Sequence, residues 1–178
     1  MITLNKAVFE ICAPFKSCFS FPCFCAKISL KSKKVGDNNM MRDAVKTIGN
    51  LIDKQSISFI SSVDEDGFPN TKAMLAPRKR EGITTFYFST NTSSMRIEQY
   101  RQNPKACVYF CDKRFFRGVM LTGTVEVLED APSKEMIWKV GDTLYYPLGV
   151  TDPDYCVVKF TANKGRFYSA FKSEDFVV

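Results

Sequence analysis

The chain contains no histidine at all. An imidazole is required for Ser-His-Asp and Cys-His catalysis, for zinc sites that contain histidine and for a histidine-ligated haem. The composition therefore excludes these kinds of site. Any acid–base or redox chemistry has to come from a bound cofactor or from lysine, tyrosine, cysteine and carboxylate side chains.

Long hydrophobic runs are missing as well. No stretch reaches the roughly 18 apolar residues that a membrane-spanning helix needs, and the N-terminal segment lacks the pattern of a signal peptide. We therefore expect a cytoplasmic protein without a membrane partner. Seven cysteines are an odd number, and the spacing of the four N-terminal ones matches no zinc or iron–sulfur pattern, so a reducing compartment is expected.

The net charge of +6 is concentrated at the N-terminus, because residues 1–39 hold six lysines against two acidic residues. The rest of the chain carries 19 basic and 17 acidic residues, which is not the footprint of a nucleic-acid binder. The N-terminal segment also lacks a helical period. We expect residues 1–38 to be an extension outside the fold, and residues 39–178 to form one domain.

From Met41 onwards, apolar residues recur with the periods of short helices and strands. Helices are predicted over residues 41–54, over residues 94–102 and after Asp130. Strands are predicted over residues 56–63, 68–77, 83–89, 106–111, 116–128, 155–161 and 166–171. Turns are predicted at Asp64–Gly67, at Arg78–Gly82 and at Asn163–Gly165. The pattern is typical of a mainly β protein with a closed or partly closed antiparallel barrel.

One strand–turn–helix segment, residues 86–96, has the chemistry of an anion site. A helix start carries unpaired N–H groups and a partial positive charge, and it attracts phosphate. Here the start offers the hydroxyls of Thr90, Ser93 and Ser94, with Arg96 one turn into the helix and Lys72 on an earlier strand. The alternative is that Ser93 is only an N-cap and Arg96 a solvated surface residue.

The order of these motifs resembles the pyridoxamine 5'-phosphate oxidase-like split-barrel family, in its general-stress-protein and flavin-nucleotide-binding branch. The resemblance covers about residues 41–172. It begins with the Asp-Gly hairpin, Pro-x-x-Lys-x-Met and Phe-Tyr-Phe-Ser-Thr. It continues through Ser-x-Arg-Ile-Glu-Gln, Asn-Pro-Lys-Ala-Cys-Val and Val-x-Leu-x-Gly-x-Val-Glu-Val to Asp-Pro-Asp-Tyr and Gly-Arg-Phe-Tyr.

The resemblance implies a six- to seven-stranded antiparallel split β-barrel of the FMN-binding type, and a homodimer that holds FMN in a groove between its subunits. Family members usually carry lysine at the position of Arg96, and many carry a second cation at the position of Met95. No metal and no catalytic residue are implied. The expected cofactor-binding residues are Lys72, Ala73, Met74, Phe88, Ser89, Thr90, Ser94, Met95 and Arg96.

The implied function is that of an FMN-dependent oxidoreductase acting on an unknown small molecule, with NAD(P)H as the expected reductant. A non-catalytic, flavin-binding general stress protein is the alternative. Pyridoxamine 5'-phosphate oxidase activity itself is not expected, because the C-terminal segment with arginine and tryptophan that those enzymes share is not found. A nucleic-acid-binding barrel, a haem ligand or a deazaflavin ligand also remain open.

The sequence leaves the roles of several aromatic residues and cysteines undecided. Trp138, the only tryptophan, is interpreted as a packing residue rather than a flavin-stacking one. Tyr145, Tyr146 and Phe171 are candidates to close over a flavin. The cysteines of the barrel are interpreted as small buried hydrophobes rather than reactive thiols; they are Cys107, Cys111 and Cys156.

Overall fold

The computed structural model describes residues 44–113 and 115–178. The expected N-terminal extension, residues 1–38, lies outside the described residues. Within them the helices are α1 (Ala44–Asp53), α2 (Met95–Gln102) and α3 (Ala131–Ile137). The strands are β1 (Ile57–Val63), β2 (Pro69–Leu75), β3 (Lys79–Glu81), β4 (Thr85–Asn91), β5 (Lys105–Asp112), β6 (Arg117–Leu128), β7 (Tyr155–Ser169) and β8 (Lys172–Val177).

The strands form one antiparallel sheet in the order β2-β1-β5-β6-β7-β4-β3, and β8 pairs with β7. The mainly β fold class is thereby confirmed, with eight strands where six to seven were expected. The Asp-Gly turn between β1 and β2 is present as predicted, and Gly67 adopts the positive φ of 87° that the turn requires. None of the helices in the described ranges is long and apolar enough to cross a bilayer.

The predicted hairpin at Asn163–Gly165 is wrong. Residues Tyr155–Ser169 form a single strand of 15 residues, and its pairing with β6 runs from Val157 to Tyr168, across the predicted turn. A Cβ on Gly165 would lie 2.3 Å from the ring of Phe176, so this glycine permits close packing rather than a turn. The hairpin lies further on, at Ala170 and Phe171, both of which have positive φ.

The predicted turn at Arg78–Gly82 is also wrong in part, because Lys79–Glu81 form the short strand β3 against β4. The cations of this segment have separate partners. Arg80 donates two hydrogen bonds to Asp53 at the end of α1, while Arg78 pairs with Asp142. Arg78 and Arg80 therefore bind carboxylates of this chain and do not form a basic patch.

The core is built from the inner faces of the strands and from one side of α1 and α2. Phe86 packs against Phe110 and Phe160, with ring centroids 5.8 and 6.2 Å away. On β1 the buried face carries Ser58, Ile60 and Ser62. The other face of β1 carries Ile57 and Phe59 and lies on the outer surface, where these side chains are 50% and 40% exposed.

The helix predicted after Asp130 is present as α3, which ends at Ile137 because Trp138 leaves the helical conformation. Asp130 caps its start, where the carboxylate accepts a hydrogen bond from the N–H of Ser133. The chain then runs through two 3₁₀ turns, Asp142–Leu144 and Gly149–Thr151, before it enters β7. This segment, residues 138–154, covers the outer side of β4 and β7.

Candidate functional site

Two adjoining cavities bring together all nine residues that the sequence assigned to a cofactor site. The inner cavity, of about 190 Å³, lies between β2 and β4. The outer cavity, of about 260 Å³, lies between β2 and the start of α2. Lys72 and Arg96 line both of them. The inner cavity adds Ala73, Met74, Phe88, Ser89 and Thr90, and the outer cavity adds Ser94 and Met95.

The cavities form where the curled sheet fails to close. Strand β2 stands at one end of the sheet, and β4 stands next to the other end. Both strands line the inner cavity although no ladder joins them. Their backbone and side chains are therefore available to a ligand, as at the opening of a split barrel.

Arg96 is the most unusual residue of this site. Its side chain is buried, with 7% exposure, yet its guanidinium has neither a salt bridge nor a hydrogen bond to any other residue that the structure describes. Burial lowers the pKa of Arg96 below its ordinary value. The guanidinium nitrogens are not among the fully buried atoms without a partner, so they keep accessible surface at the cavity, where an anion would offset the cost of burying most of the residue.

The start of α2 leaves further donors open to that anion. Ser94 is the N-cap residue, and its side chain makes no capping hydrogen bond. The alternative that Ser93 is the N-cap is therefore wrong. The N–H groups of the first helical residues have no partner within the helix, and the hydroxyl of Ser94 adds another polar group beside Arg96.

The turn that leads into α2 is held by Asp154. Its carboxylate accepts hydrogen bonds from the side chain of Asn91 at 2.7 Å and from the N–H of Ser93 at 2.8 Å. Its carbonyl accepts a third from the N–H of Thr92 at 3.0 Å. Because these donors stabilise the charged carboxylate, the pKa of Asp154 lies below its usual range.

The hydroxyl of Ser89 is held by a hydrogen bond, whereas the side chain of Lys72 is exposed. Ser89 Oγ accepts a hydrogen bond from Arg78 Nε at 3.2 Å. Lys72 is exposed on the edge strand, so its ammonium is free to move towards a ligand. The inner wall is apolar, with the buried ring of Phe88 beside Met74.

Tyr146 also lines the inner cavity, although the sequence named it only as one of three candidates to close over a ligand. Tyr145 and Phe171 do not line either cavity; they are 67% and 109% exposed. Trp138 packs edge-on against Tyr155, with ring centroids 5.2 Å apart. The interpretation of Trp138 as a packing residue agrees with this contact.

The cysteines and acidic residues do not build a second site. Cys156 is buried, Cys107 and Cys111 are half-buried, and all three are free thiols. Burial raises the pKa of Cys107 and of Cys156, which disfavours the reactive thiolate. No group of three or more cysteine, aspartate or glutamate side chains that could hold a metal ion occurs within residues 44–113 and 115–178.

Known proteins share both the sequence and the fold. A chain from Clostridium acetobutylicum, described as related to general stress protein 26 of Bacillus subtilis and as a member of the pyridoxine phosphate oxidase family, is 41% identical. The superposition covers 75% of this chain and 94% of that chain, with a TM-score of 0.70. A pyridoxamine 5'-phosphate oxidase-related, FMN-binding protein from Nostoc punctiforme shares the fold at 13% identity, over 78% and 96% of the two chains, with a TM-score of 0.58.

A shorter match links the chain to a curated enzyme. The pyridoxine/pyridoxamine 5'-phosphate oxidase of Caulobacter vibrioides is 36% identical over 72 residues, which are 40% of this chain and 32% of the enzyme. The match therefore spans about a third of that enzyme's length. The sequence profile described as Pyridoxamine 5'-phosphate oxidase matches residues 44–169, nearly the whole of the described fold. The chain belongs to the pyridoxamine 5'-phosphate oxidase family of split-barrel proteins.

Proposed function

We propose that the protein binds FMN and that the phosphate of FMN is held beside Arg96. The observation that carries this proposal is Arg96, a largely buried residue whose guanidinium has no counter-ion among the described residues and which borders both cavities. A phosphate dianion would supply the missing negative charge, and arginine suits it because its planar donors match the phosphate oxygens. Lys72 adds a second cation on the opposite wall.

The remaining walls suit the rest of the nucleotide. Ala73, Met74 and Phe88 all line the inner cavity, so apolar surface is available to the ribityl chain and the flavin ring. Together the inner and outer cavities offer hydroxyl, cationic and apolar groups in one place. These residues therefore fit the cofactor that the family resemblance implies.

We further propose that the bound flavin makes the protein an oxidoreductase that acts on a small molecule and takes electrons from NAD(P)H. The flavin supplies hydride and electron transfer when bound, while the protein positions it and controls its surroundings. None of the residues lining the two cavities is a carboxylate or a thiol. This composition equally favours the alternative function, a flavin-binding stress protein without turnover.

An absorption spectrum of the purified protein, with and without added FMN, tests the binding proposal. Bound FMN is expected to give flavin absorption bands, and FMN is expected to bind more tightly than riboflavin, which lacks the phosphate. The Arg96→Ala variant is expected to lose roughly 10- to 100-fold in FMN affinity, because hydrogen bonds to charged groups contribute about 1.5–3 kcal/mol. Arg101→Ala, which removes a guanidinium from the same helix at a residue that lines neither cavity, serves as the control.

Two results would contradict the binding proposal. One is a wild-type protein that binds riboflavin as tightly as FMN. The other is unchanged FMN affinity in a protein that carries both Lys72→Ala and Arg96→Ala. In either case the phosphate is not held between β2 and α2.

Turnover needs a separate measurement. Oxidation of NADH and NADPH by the FMN-loaded protein is compared with oxidation by the same concentration of free FMN. A rate clearly above that of free FMN supports the oxidoreductase. A rate equal to that of free FMN supports the non-catalytic flavin-binding protein. Pyridoxamine 5'-phosphate is included as a substrate, and no oxidation of it is expected.

We also propose that the protein works in the reducing cytoplasm. Cys107, Cys111 and Cys156 are all free thiols, as is usual where glutathione and thioredoxin keep cysteines reduced. Fractionation of native cells with an antibody against the protein tests the location. Recovery in the membrane or extracellular fraction would contradict it.

A further inference from the structure

We infer that Tyr146 is a ligand-contacting residue of this site, and that its hydroxyl donates a hydrogen bond to the phosphate of the bound nucleotide. The inference rests on the proposed FMN site and assigns a specific contact to a residue that the sequence named only as one of three candidates to close over a flavin. Tyr146 comes from the segment between α3 and β7, whereas the other lining residues come from β2, from the segment following β2, from β4 and from α2. Tyr146 therefore forms a part of the cavity wall that those elements do not form.

The first observation is the state of the Tyr146 hydroxyl. The side chain is buried, with 5% exposure, but its hydroxyl has no hydrogen-bond partner anywhere in the described part of the chain. The buried polar side-chain atoms without a partner in that part are Thr92 Oγ1 and Arg117 Nε. The Tyr146 hydroxyl is not among them, so it keeps accessible surface, and the opening beside Tyr146 is the inner cavity.

The second observation is that the ring of Tyr146 is held firmly in place. It packs against Tyr155 with ring centroids 4.6 Å apart and against Trp138 at 6.3 Å. The N–H groups of Tyr145 and Tyr146 both donate to the carbonyl of Asp142 at 2.9 Å. A buried tyrosine with an ordered ring usually has a partner for its hydroxyl, and here a ligand is the available partner.

The third observation is an ion pair that fixes this segment to the cavity wall. Arg78 Nη2 donates to Asp142 Oδ1 at 2.7 Å, while Asp142 Oδ2 accepts the N–H of Lys139 at 2.9 Å. Both side chains are largely buried, at 16% and 5% exposure. Because Arg78 Nε also holds Ser89, one guanidinium positions two groups of the cavity. Arg78 and Asp142 are therefore positioning residues.

The chemistry of the hydroxyl suits a phosphate that already has two cations beside it. Burial raises the pKa of Tyr146 to about 12, so the hydroxyl is a neutral donor at neutral pH. It strengthens phosphate binding without adding charge. A hydroxyl that donates to an anionic oxygen makes one of the stronger hydrogen bonds in proteins.

The test compares the Tyr146→Phe variant with Tyr145→Phe, which removes a hydroxyl from the neighbouring, 67% exposed tyrosine. Tyr146→Phe keeps the packed ring, so the fold is retained. Its FMN affinity is expected to fall about tenfold while its riboflavin affinity stays unchanged. Tyr145→Phe is expected to bind both ligands like the wild type. Equal losses for FMN and riboflavin, or no loss of FMN affinity, would overturn the inference.

The positioning role of the ion pair is tested by a double-mutant cycle with Asp142→Asn. If Asp142 acts through Tyr146, this substitution weakens FMN binding in the wild-type background and has less effect in the Tyr146→Phe background. Additive losses would overturn that role. Failure of wild-type protein to prefer FMN over riboflavin would instead contradict the proposed FMN site itself, so the two proposals fail separately.

Discussion

Arg96 shows how a single residue connects the fold with the chemistry. Ile97 and Tyr100, on the same helix, are part of the hydrophobic core, and Gln99 receives a hydrogen bond from the buried Ser62 at 2.5 Å. Packing of α2 against β1 therefore forces Arg96 into a buried position at the cavity. The cation is placed there by the helix, and the energetic cost of its burial is offset only when an anion binds.

The charge balance at Arg96 predicts how FMN binding depends on pH. A phosphate monoester loses its second negative charge below a pKa of about 6, whereas arginine stays protonated. Binding to cations lowers the phosphate pKa in the complex, so the affinity gained from the dianion is present above pH 6 and is lost as the pH falls below it. FMN titrations at pH 7.5 and pH 5 are expected to show weaker binding at pH 5.

Riboflavin provides the matched control for this pH dependence, because it has no phosphate. Its affinity is expected to be the same at both pH values, and the FMN affinity of Arg96→Ala is expected to change less than that of the wild type. A wild-type FMN affinity that does not change between pH 7.5 and pH 5 would contradict a phosphate held by charge.

Sequence patterns identified most of the residues that line the site, but they did not identify Arg78 and Asp142, which position Tyr146. Lys72, Ser94 and Arg96 lie within short motifs, so local pattern and family resemblance were enough to bring them together. Tyr146 depends on Arg78 and Asp142, which are 64 residues apart in the chain. A contact of that kind leaves no local periodicity, and only the folded structure places Tyr146 at the cavity.

At the scale of elements, the Asp-Pro-Asp-Tyr motif stabilises the turn between β4 and α2. Asp154 accepts hydrogen bonds from three groups of this turn. The turn positions Ser94 at the start of α2. The Asp154→Asn variant is expected to unfold at a lower temperature than the wild type at pH 7 and to bind FMN less tightly. Both effects arise because an amide replaces a carboxylate that accepts hydrogen bonds from two donors.

The pKa of Asp154 sets the pH range of this effect. Its folded-state pKa is lowered, so its contribution to stability is present above the unfolded value of about 3.9 and is lost as the pH falls through the folded-state pKa. Thermal unfolding of wild type and Asp154→Asn is expected to differ at pH 7, and the difference is expected to shrink as the pH falls through the folded-state pKa of Asp154. Asp66→Asn, in the exposed hairpin between β1 and β2, is the control and should show no such difference.

The long pairing of β6 with β7 depends on a glycine at its irregular point. The register shifts between Thr122 and Gly123, and a Cβ on Gly123 would lie 1.9 Å from the backbone oxygen of Thr161. Gly123→Ala is expected to lower the free energy of unfolding by about 3 kcal/mol. The added methyl group would clash with the backbone of β7, and moving the two strands apart would break their hydrogen bonds. Thr124→Ala, at the exposed next residue, should change it by less than about 0.5 kcal/mol in denaturant titrations.

The same strand shows where sequence patterns mislead. Asn163–Gly165 has the composition of a hairpin turn, so two short strands were predicted where β7 is one long strand. Gly165 is needed because Phe176 of β8 packs over it, which is a long-range packing requirement. On β1, Ile57 and Phe59 face outwards while Ser58 and Ser62 are buried, so alternation alone does not identify the core face of this strand.

For the whole molecule, that outward face predicts a second copy of the chain as the partner. Ile57 pairs with Leu75, and Phe59 pairs with Ala73. Leu75 and Ala73 also line the inner cavity, so the exposed apolar surface of β1 and β2 is continuous with the proposed flavin site. A homodimer formed through this face would cover both at once, as the family resemblance implies.

Substitution of Phe59 tests this assembly. Wild-type protein is expected to sediment as a dimer, and Phe59→Glu to sediment as a monomer, because a carboxylate cannot be buried in an apolar interface without a partner. Since the interface would complete the flavin groove, the variant should also bind FMN more weakly. Phe68→Glu, at a 68% exposed position beside the β1–β2 turn, should remain dimeric. A monomeric wild type that binds FMN would show that the groove is complete within one chain, and a dimeric Phe59→Glu with full FMN affinity would show that this face is not the interface.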